Sequence, residues 1–205
     1  MHTTLLSQAK RHLRNADPAM ARLLDNHTPY TTGRTQARRP PYFHTLVQAI
    51  LNQQLSVKAA RTISTRLRLR QGGGFFNAGR LLDLRPSALR GCGVSRNKVI
   101  FIRTLSLAMR NGELNFRSLV RADDDTVRQV LTQYPGIGLW SADMFLMFAL
   151  HRPDVLPLGD LALRKSMQRI YRLADDADDG VFLEIAAAWR PYRTVASRYL
   201  WAALG

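Results

Sequence analysis

Tyr134-Pro-Gly-Ile-Gly-Leu-Trp-Ser-Ala142, followed by Asp154-Val-Leu-Pro-Leu-Gly-Asp160, is the part of the sequence that decides the fold. Pro135, Gly136 and Gly138 interrupt regular structure, and apolar residues at helical spacing follow at once, which predicts the start of a helix. Orphan amides and the helix dipole attract an anion there, and glycines let a phosphate approach closely. The pattern therefore predicts a turn that binds a nucleic-acid backbone, although a plain helix–turn–helix corner uses glycines in the same way.

The wider pattern resembles a known family of DNA repair enzymes. A helix–hairpin–helix followed by a Gly/Pro-rich loop and an Asp is similar to the signature of base-excision glycosylases of the DNA-3-methyladenine glycosylase II type. The resemblance runs from Tyr42 to Leu204, and three further segments match in the family's order: Phe43–Ala60, Gly93–Lys98 and Trp189–Trp201. It implies an all-α, two-lobed helix-hairpin-helix DNA glycosylase fold with no iron–sulfur cluster and no N-terminal β domain.

The domain organisation is predicted as a single glycosylase unit over residues 1–205. The resemblance implies one lobe made from both termini, residues 1–41 plus about 153–205, and a second lobe, a helical bundle with the hairpin, over about 42–152. A cleft between the lobes is expected to hold the site. Apolar spacing supports helices almost throughout, including Leu81–Leu89, and no stretch alternates in polarity as a strand does.

The charge of the chain indicates its partner. Lys and Arg number 30 against 15 Asp and Glu, which gives a formal net charge of +15. Such a charge disfavours a compact fold unless a polyanion offsets it, so a nucleic acid is the expected partner. The resemblance implies that this partner is double-stranded DNA with alkylated bases. A membrane is not expected, because the sequence contains neither a long apolar span nor a basic amphipathic helix. A monomer is typical of such enzymes.

The cysteine count excludes several kinds of site. Cys92 is the single cysteine, so neither an intrachain disulfide nor a four-cysteine iron–sulfur loop can form. No His/Cys grouping has the spacing of a zinc site, and we expect no cofactor and no metal. Polar and basic residues rather than an apolar signal follow Met1, which predicts a cytoplasmic, bacterial-type protein associated with the nucleoid through DNA binding.

One carboxylate is the candidate for catalysis. Breaking an N-glycosidic bond leaves positive charge on the sugar, which a carboxylate can stabilise while it orients water. Asp160 follows an irregular loop with Pro157 and Gly159 and precedes an apolar-periodic helix. From the residues alone an N-cap explains Asp160 completely; the resemblance implies that it is the catalytic Asp. Asp154 is the competing carboxylate and is expected to begin the loop.

The aromatic residues suggest a pocket for a damaged base. Trp140 occupies the position at which bifunctional members carry a nucleophilic lysine, so we expect water to attack and an abasic site to remain. The resemblance implies a base pocket of Trp140, Trp201 and Met144, whose electron-rich rings attract a positively charged alkylated purine. Both tryptophans also fit a simple packing role.

The remaining candidate residues are expected to contact DNA. Base removal requires the nucleotide to leave the stack and the hole to be filled, and the resemblance implies that Gln53–Ser56 probe the duplex, with Gln54 as the wedge. From the residues alone, Leu55 can equally be core. The DNA-binding set comprises Gln53, Gln54, Leu55, Ser56, Lys58, Ser95, Arg96, Lys98, Pro135, Gly136, Ile137, Gly138 and Ser141.

These expectations lead to one function and two alternatives. The expected function is a monofunctional DNA glycosylase that flips out alkylated purines, of the 3-methyladenine and 7-methylguanine type, and hydrolyses their N-glycosidic bond in base excision repair. The alternatives are a non-catalytic helix–hairpin–helix DNA-binding protein and a bifunctional glycosylase/lyase for oxidised bases. The second alternative needs an amine nucleophile that the hairpin does not offer.

Overall fold

A computed structural model describes residues 3–29 and 41–204. These residues form thirteen α-helices and no strand, which confirms the all-α fold class. Residues 30–40, at the end of the first segment of the predicted terminal lobe, lie outside the described part. The helices are α1 (Thr3–Ala16), α2 (Pro18–Asn26), α3 (Tyr42–Asn52), α4 (Val57–Arg70), α5 (Ala78–Asp83), α6 (Pro86–Gly91), α7 (Arg96–Arg110), α8 (Phe116–Arg121), α9 (Asp124–Thr132), α10 (Leu139–Phe148), α11 (Leu161–Tyr171), α12 (Asp179–Ala187) and α13 (Arg193–Ala202).

The chain divides into two compact units. Unit 1 joins Met1–Thr35 to His151–Gly205, and unit 2 is Gln36–Leu150. Apolar side chains of α1, α2, α11, α12 and α13 form one core in unit 1. No helix among residues 3–29 and 41–204 combines the length and the apolar content that a membrane span requires.

A buried carboxylate links the two segments of unit 1. Asp17 is 8% exposed and caps α2 by accepting the amide N–H groups of Ala19 and Met20. Its second oxygen accepts the indole N–H of Trp189 at 2.8 Å and the hydroxyl of Tyr171 at 2.6 Å. Burial, reinforced by the hydrogen bond to Asp17, raises the pKa of Tyr171. Four donors satisfy the carboxylate, so this buried polar group stabilises the unit instead of weakening it.

Unit 2 is organised around α10. This helix is buried from Ser141 to Met147 because its sequence is apolar on nearly every face. It packs against α3 and α9. Arg128 on α9 donates to Asp143 on α10 at 2.8 Å and so joins the two helices of the hairpin. Burial raises the pKa of Asp143 even though the Arg128 guanidinium opposes the shift.

The sequence predicts a single helix over Leu81–Leu89, and this prediction is wrong. The structure has two helices there, because Leu84 and Arg85 have extended backbones between α5 and α6. A residue that precedes proline disfavours the helical conformation, and Pro86 then provides the first residue of the next helix.

Candidate functional site

Asp160 lies at the N-terminal end of α11 in unit 1. Its Oδ1 accepts the amide N–H of Leu163 at 2.8 Å, so the capping role predicted as the alternative is present. The same oxygen accepts the indole N–H of Trp201 at 3.0 Å. Two donors on one oxygen fix the orientation of the carboxylate. A carboxylate that caps a helix can also stabilise positive charge on a substrate, so the cap and the catalytic role do not exclude each other.

Asp154 has a different environment. Arg193 donates from Nε to Oδ1 at 2.8 Å and from Nη2 to Oδ2 at 3.0 Å, and Arg190 donates to Oδ2 at 3.2 Å. A bidentate arginine–carboxylate pair of this kind anchors a segment geometrically. Asp154 therefore acts as the anchor of the loop that leads to Asp160. No local pattern predicts this pairing, because Arg190 and Arg193 lie 36 and 39 residues further along the chain, just before and at the start of α13.

The start of α13 holds the same loop through a third residue. Thr194 is 2% exposed, and its hydroxyl donates to the carbonyl of Arg152 at 2.7 Å and accepts the amide of Val155 at 3.0 Å. The helix that carries Trp201 thus also secures the loop before Asp160. One helix positions both the carboxylate and the indole that contacts it.

The other two residues predicted for the base pocket belong to unit 2. Trp140 and Met144 both lie on α10, where Trp140 is partly buried and Met144 is 8% exposed. Trp201 in unit 1 is partly buried at the edge of the unit 1 core. Their shared role as a base pocket stays a prediction.

The hairpin turn has the backbone that its sequence requires. The N–H of Ile137 donates to the carbonyl of Tyr134 at 3.0 Å, with Pro135 and Gly136 at the centre of the turn and Gly136 at φ +83°. A turn with a positive φ at its third residue favours glycine. A Cβ at Gly136 would also lie 2.2 Å from the ring of Phe101. Phe101 was not predicted to matter, and no local pattern marks it.

Gly138 serves the turn differently. It precedes α10 with an extended backbone and no side-chain cap, and a Cβ at this position would meet nothing within 4 Å. The amides of Gly138 and Leu139 donate to no group among the described residues. An uncapped helix N-terminus with open space before it can accept a phosphate oxygen.

Hydrogen bonds join the three predicted DNA-contacting turns of unit 2. The Gln53 amide donates to the carbonyl of Gly136 at 2.7 Å and to the hydroxyl of Ser141 at 3.0 Å. The Lys98 ammonium donates to the carbonyls of Leu51 at 3.0 Å and Gln53 at 2.7 Å, and burial lowers its pKa. The turn that follows α3, the start of α7 and the hairpin are therefore connected to one another.

The predicted DNA-binding side chains differ in exposure. Ser141 and Ile137 are buried, with 1% and 4% exposed, and Gln53, Lys98 and Gly136 are partly buried. The exposed members of the set are Gln54, Leu55, Ser56, Lys58, Ser95, Arg96, Pro135 and Gly138. Ser56 and Ser95 also accept backbone amides as N-caps of α4 and α7.

The electrostatics of this surface suit an anion. The first turns of α4, α7 and α10 contain no acidic residue, whereas α9 and α12 begin with aspartates. Helix N-termini without nearby carboxylates keep their attraction for negative charge. Lys58 and Arg96 add exposed cations at two of the three ends. The surface is therefore suited to a phosphate backbone, whose recognition does not depend on base sequence.

The two hairpin glycines give a first prediction. Gly138→Ala is expected to keep the fold and to weaken binding to damaged and undamaged duplexes alike, by about 1 kcal/mol or about fivefold, because a methyl group would obstruct the phosphate. Gly136→Ala is expected to lower the melting temperature, since its Cβ would meet Phe101. Fluorescence anisotropy with labelled duplexes over a salt series, alongside thermal melting, measures both effects. Wild-type affinity in a folded Gly138→Ala protein would show that the hairpin is not part of the DNA-binding surface.

Comparison with known proteins identifies a common family. Residues 47–191 match the model of the HhH-GPD superfamily base excision DNA repair protein. The chain is 30% identical to DNA-3-methyladenine glycosylase 1 of Schizosaccharomyces pombe, over 97% of this chain and 87% of that protein. The solved structure of the S. pombe 3-methyladenine DNA glycosylase Mag1 in complex with abasic DNA superposes with a TM-score of 0.85 at 29% identity, covering 95% of both chains. A DNA-3-methyladenine glycosidase structure from Bacillus halodurans gives a TM-score of 0.77 at 34% identity, covering 96% of this chain and 89% of that one.

Proposed function

The chain belongs to the HhH-GPD superfamily of base excision DNA repair proteins, and from this membership we propose that it is a monofunctional DNA glycosylase for alkylated purines. The proposed substrates are bases of the 3-methyladenine and 7-methylguanine type in double-stranded DNA. The observation that supports the chemistry is the contact between Asp160 and Trp201, which sets a fixed carboxylate against an aromatic ring within unit 1.

The proposed mechanism uses this carboxylate and water. Alkylation at a ring nitrogen gives the purine a positive charge, which weakens its bond to the sugar and draws the base to an aromatic face. As the bond breaks, positive charge develops on the sugar, and the Asp160 carboxylate stabilises it while orienting the attacking water. Its Oδ1 is occupied by the donors from Leu163 and Trp201, so little reorganisation is needed when the charge appears.

Both alternatives fit these residues less well. A protein that only binds DNA needs the hairpin surface of unit 2, and in it Asp160 would serve only as the cap of α11. A bifunctional lyase needs an amine nucleophile, and the second residue of α10 is Trp140. Lys98, although it lies near the hairpin turn, has its ammonium committed to two backbone carbonyls.

The reaction product gives a second prediction. Incubation of a methylated duplex with the protein should release the free modified purine and leave an intact strand with an abasic site, because water is the nucleophile. Mass spectrometry of the released base, and gel electrophoresis before and after alkali, detect the two products. Borohydride added during the reaction should trap no protein–DNA adduct. A covalent band that disappears when one lysine is replaced would establish a bifunctional enzyme instead.

We also propose the setting in which the protein acts. Its partner is double-stranded DNA that contains alkylated bases, and the net charge of +15 supports strong, salt-dependent attraction to that polyanion. It acts as a monomer in the cytoplasm, associated with the nucleoid through its DNA binding. Sedimentation of the protein with and without a short duplex tests the monomer state.

A further inference from the structure

The tip of the turn between α3 and α4 has an unusual backbone. We call Gln53–Ser56 the probe turn. Gln54 is exposed and has a φ of +54°, and within the described residues of unit 2 no other non-glycine residue has a positive φ. A residue with a Cβ seldom adopts this left-handed backbone conformation, which persists only where the surrounding structure favours it.

The positive φ belongs to a turn that the amide N–H of Leu55 closes on the carbonyl of Asn52 at 3.3 Å. Two side chains hold this turn from other segments. The Gln53 amide donates to Gly136 at 2.7 Å and to Ser141 at 3.0 Å, which ties the first residue of the probe turn to the hairpin. Lys98 donates to the carbonyl of Gln53 at 2.7 Å and to that of Leu51 at 3.0 Å, which ties the end of α3 to the start of α7. The peptide groups before Gln54 are thus fixed from two directions, whereas the side chain of Gln54 itself is exposed.

We propose that Gln53 and Lys98 are positioning residues, which brace the probe turn so that Gln54 enters the duplex as a rigid wedge and do not themselves contact DNA. The inference rests on the proposed glycosylase function, since only an enzyme that extrudes a base needs such a wedge. The sequence predicts that Gln53 and Lys98 contact DNA, whereas this proposal gives them a structural role. Ser141 then acts by accepting a hydrogen bond from the Gln53 amide.

The rigid wedge should matter more for a lesion that is paired with an opposite base than for a lesion without a partner. A wedge helps to open a paired base, but it has little to do when the lesion has no partner, because the opening cost is then small. A loosened probe turn should therefore impair excision of a paired lesion selectively. Damage to the fold or to the active site would impair both substrates alike.

The experiment measures single-turnover excision of 7-methylguanine, placed opposite either cytosine or a stable abasic analogue. Gln53→Ala is expected to slow excision opposite cytosine about tenfold, the effect of losing one or two hydrogen bonds, and to slow excision opposite the analogue by about twofold or less. Gln53→Glu, which keeps the shape but cannot donate to Gly136, should behave like Gln53→Ala. Gln54→Ala should show the same selectivity, because it removes the wedge itself.

Lys98 is tested against Lys58, an exposed lysine at the start of α4. Lys58→Met is expected to reduce the slope of log affinity against log salt by about one, as the loss of a phosphate contact does. Lys98→Met should leave that slope unchanged and reproduce the substrate selectivity of Gln53→Ala. If either Gln53 variant fails to fold, Lys98→Met still provides the substrate comparison.

Three outcomes would overturn the inference. One is an equal loss on both substrates in a folded Gln53 or Lys98 variant, and another is no loss on either. The third is a reduced salt slope for Lys98→Met, which would make Lys98 a direct phosphate ligand. A wild-type protein that excises the lesion from neither duplex would overturn the proposed function as well, so the two failures are distinguishable.

Discussion

Asp160→Asn should lower the single-turnover rate of base release on the order of a hundredfold or more, while DNA affinity stays at the wild-type level. The substitution is conservative for structure, because an asparagine oxygen can still accept the N–H groups of Leu163 and Trp201, and Asn is a good N-cap. What it removes is the negative charge that offsets the cation on the sugar. Release of labelled methylpurine and anisotropy binding measure the two quantities.

Asp154→Asn is the matched control. The same chemical change, in the same loop, weakens the pair with Arg193 and should lower the melting temperature. Base release by the folded fraction should remain far closer to wild type than in Asp160→Asn. If Asp160→Asn excises methylated purines near the wild-type rate, the residue is only a helix cap and the catalytic assignment is wrong.

Trp201→Ala should reduce excision of 3-methyladenine by about 1 to 3 kcal/mol, or about fivefold to 150-fold, with a much smaller effect on general DNA affinity. Two contributions are lost together: the aromatic face for the flipped base and the N–H donated to Asp160. Trp201→Phe separates them, because it keeps an aromatic face and removes the donor. Its expected loss is about 1 kcal/mol, the usual contribution of one hydrogen bond.

Thermal melting must accompany these measurements, because Trp201 also packs at the edge of the unit 1 core. A Trp201→Ala protein that melts early and loses binding and excision in equal proportion would show that the ring only packs. Wild-type excision by Trp201→Phe would show that the hydrogen bond to Asp160 has no part in the chemistry.

Local features of the fold could be predicted from the sequence. The N-caps Ser56, Ser95 and Asp160 each accept an amide three residues later, and that contact depends only on neighbouring residues. The positive φ of Gly136 follows equally from the Pro-Gly pair. The helix break before Pro86 follows from the conformational preference of the residue before a proline, although apolar spacing alone continues across it.

Contacts between distant residues could not be predicted in the same way. Gln53 and Lys98 both belong to the predicted DNA-binding set, and the structure gives each of them a protein acceptor on another segment. Nothing in a polar residue's neighbours tells whether its hydrogen bonds go to a ligand or to a buried carbonyl. The arginine pair of Asp154 illustrates the same limit, since Arg190 and Arg193 lie 36 and 39 residues further along the chain.

The link between Asp17 and Trp189 has a consequence for the order of folding during synthesis. These residues are 172 positions apart, so the indole that satisfies the buried carboxylate leaves the ribosome late in translation. Unit 2 needs only Gln36–Leu150, and a domain generally folds once its own residues are available. The nascent chain therefore completes the unit that carries the hairpin first. Unit 1, with the corner that holds Asp160, can close only after α13 has emerged.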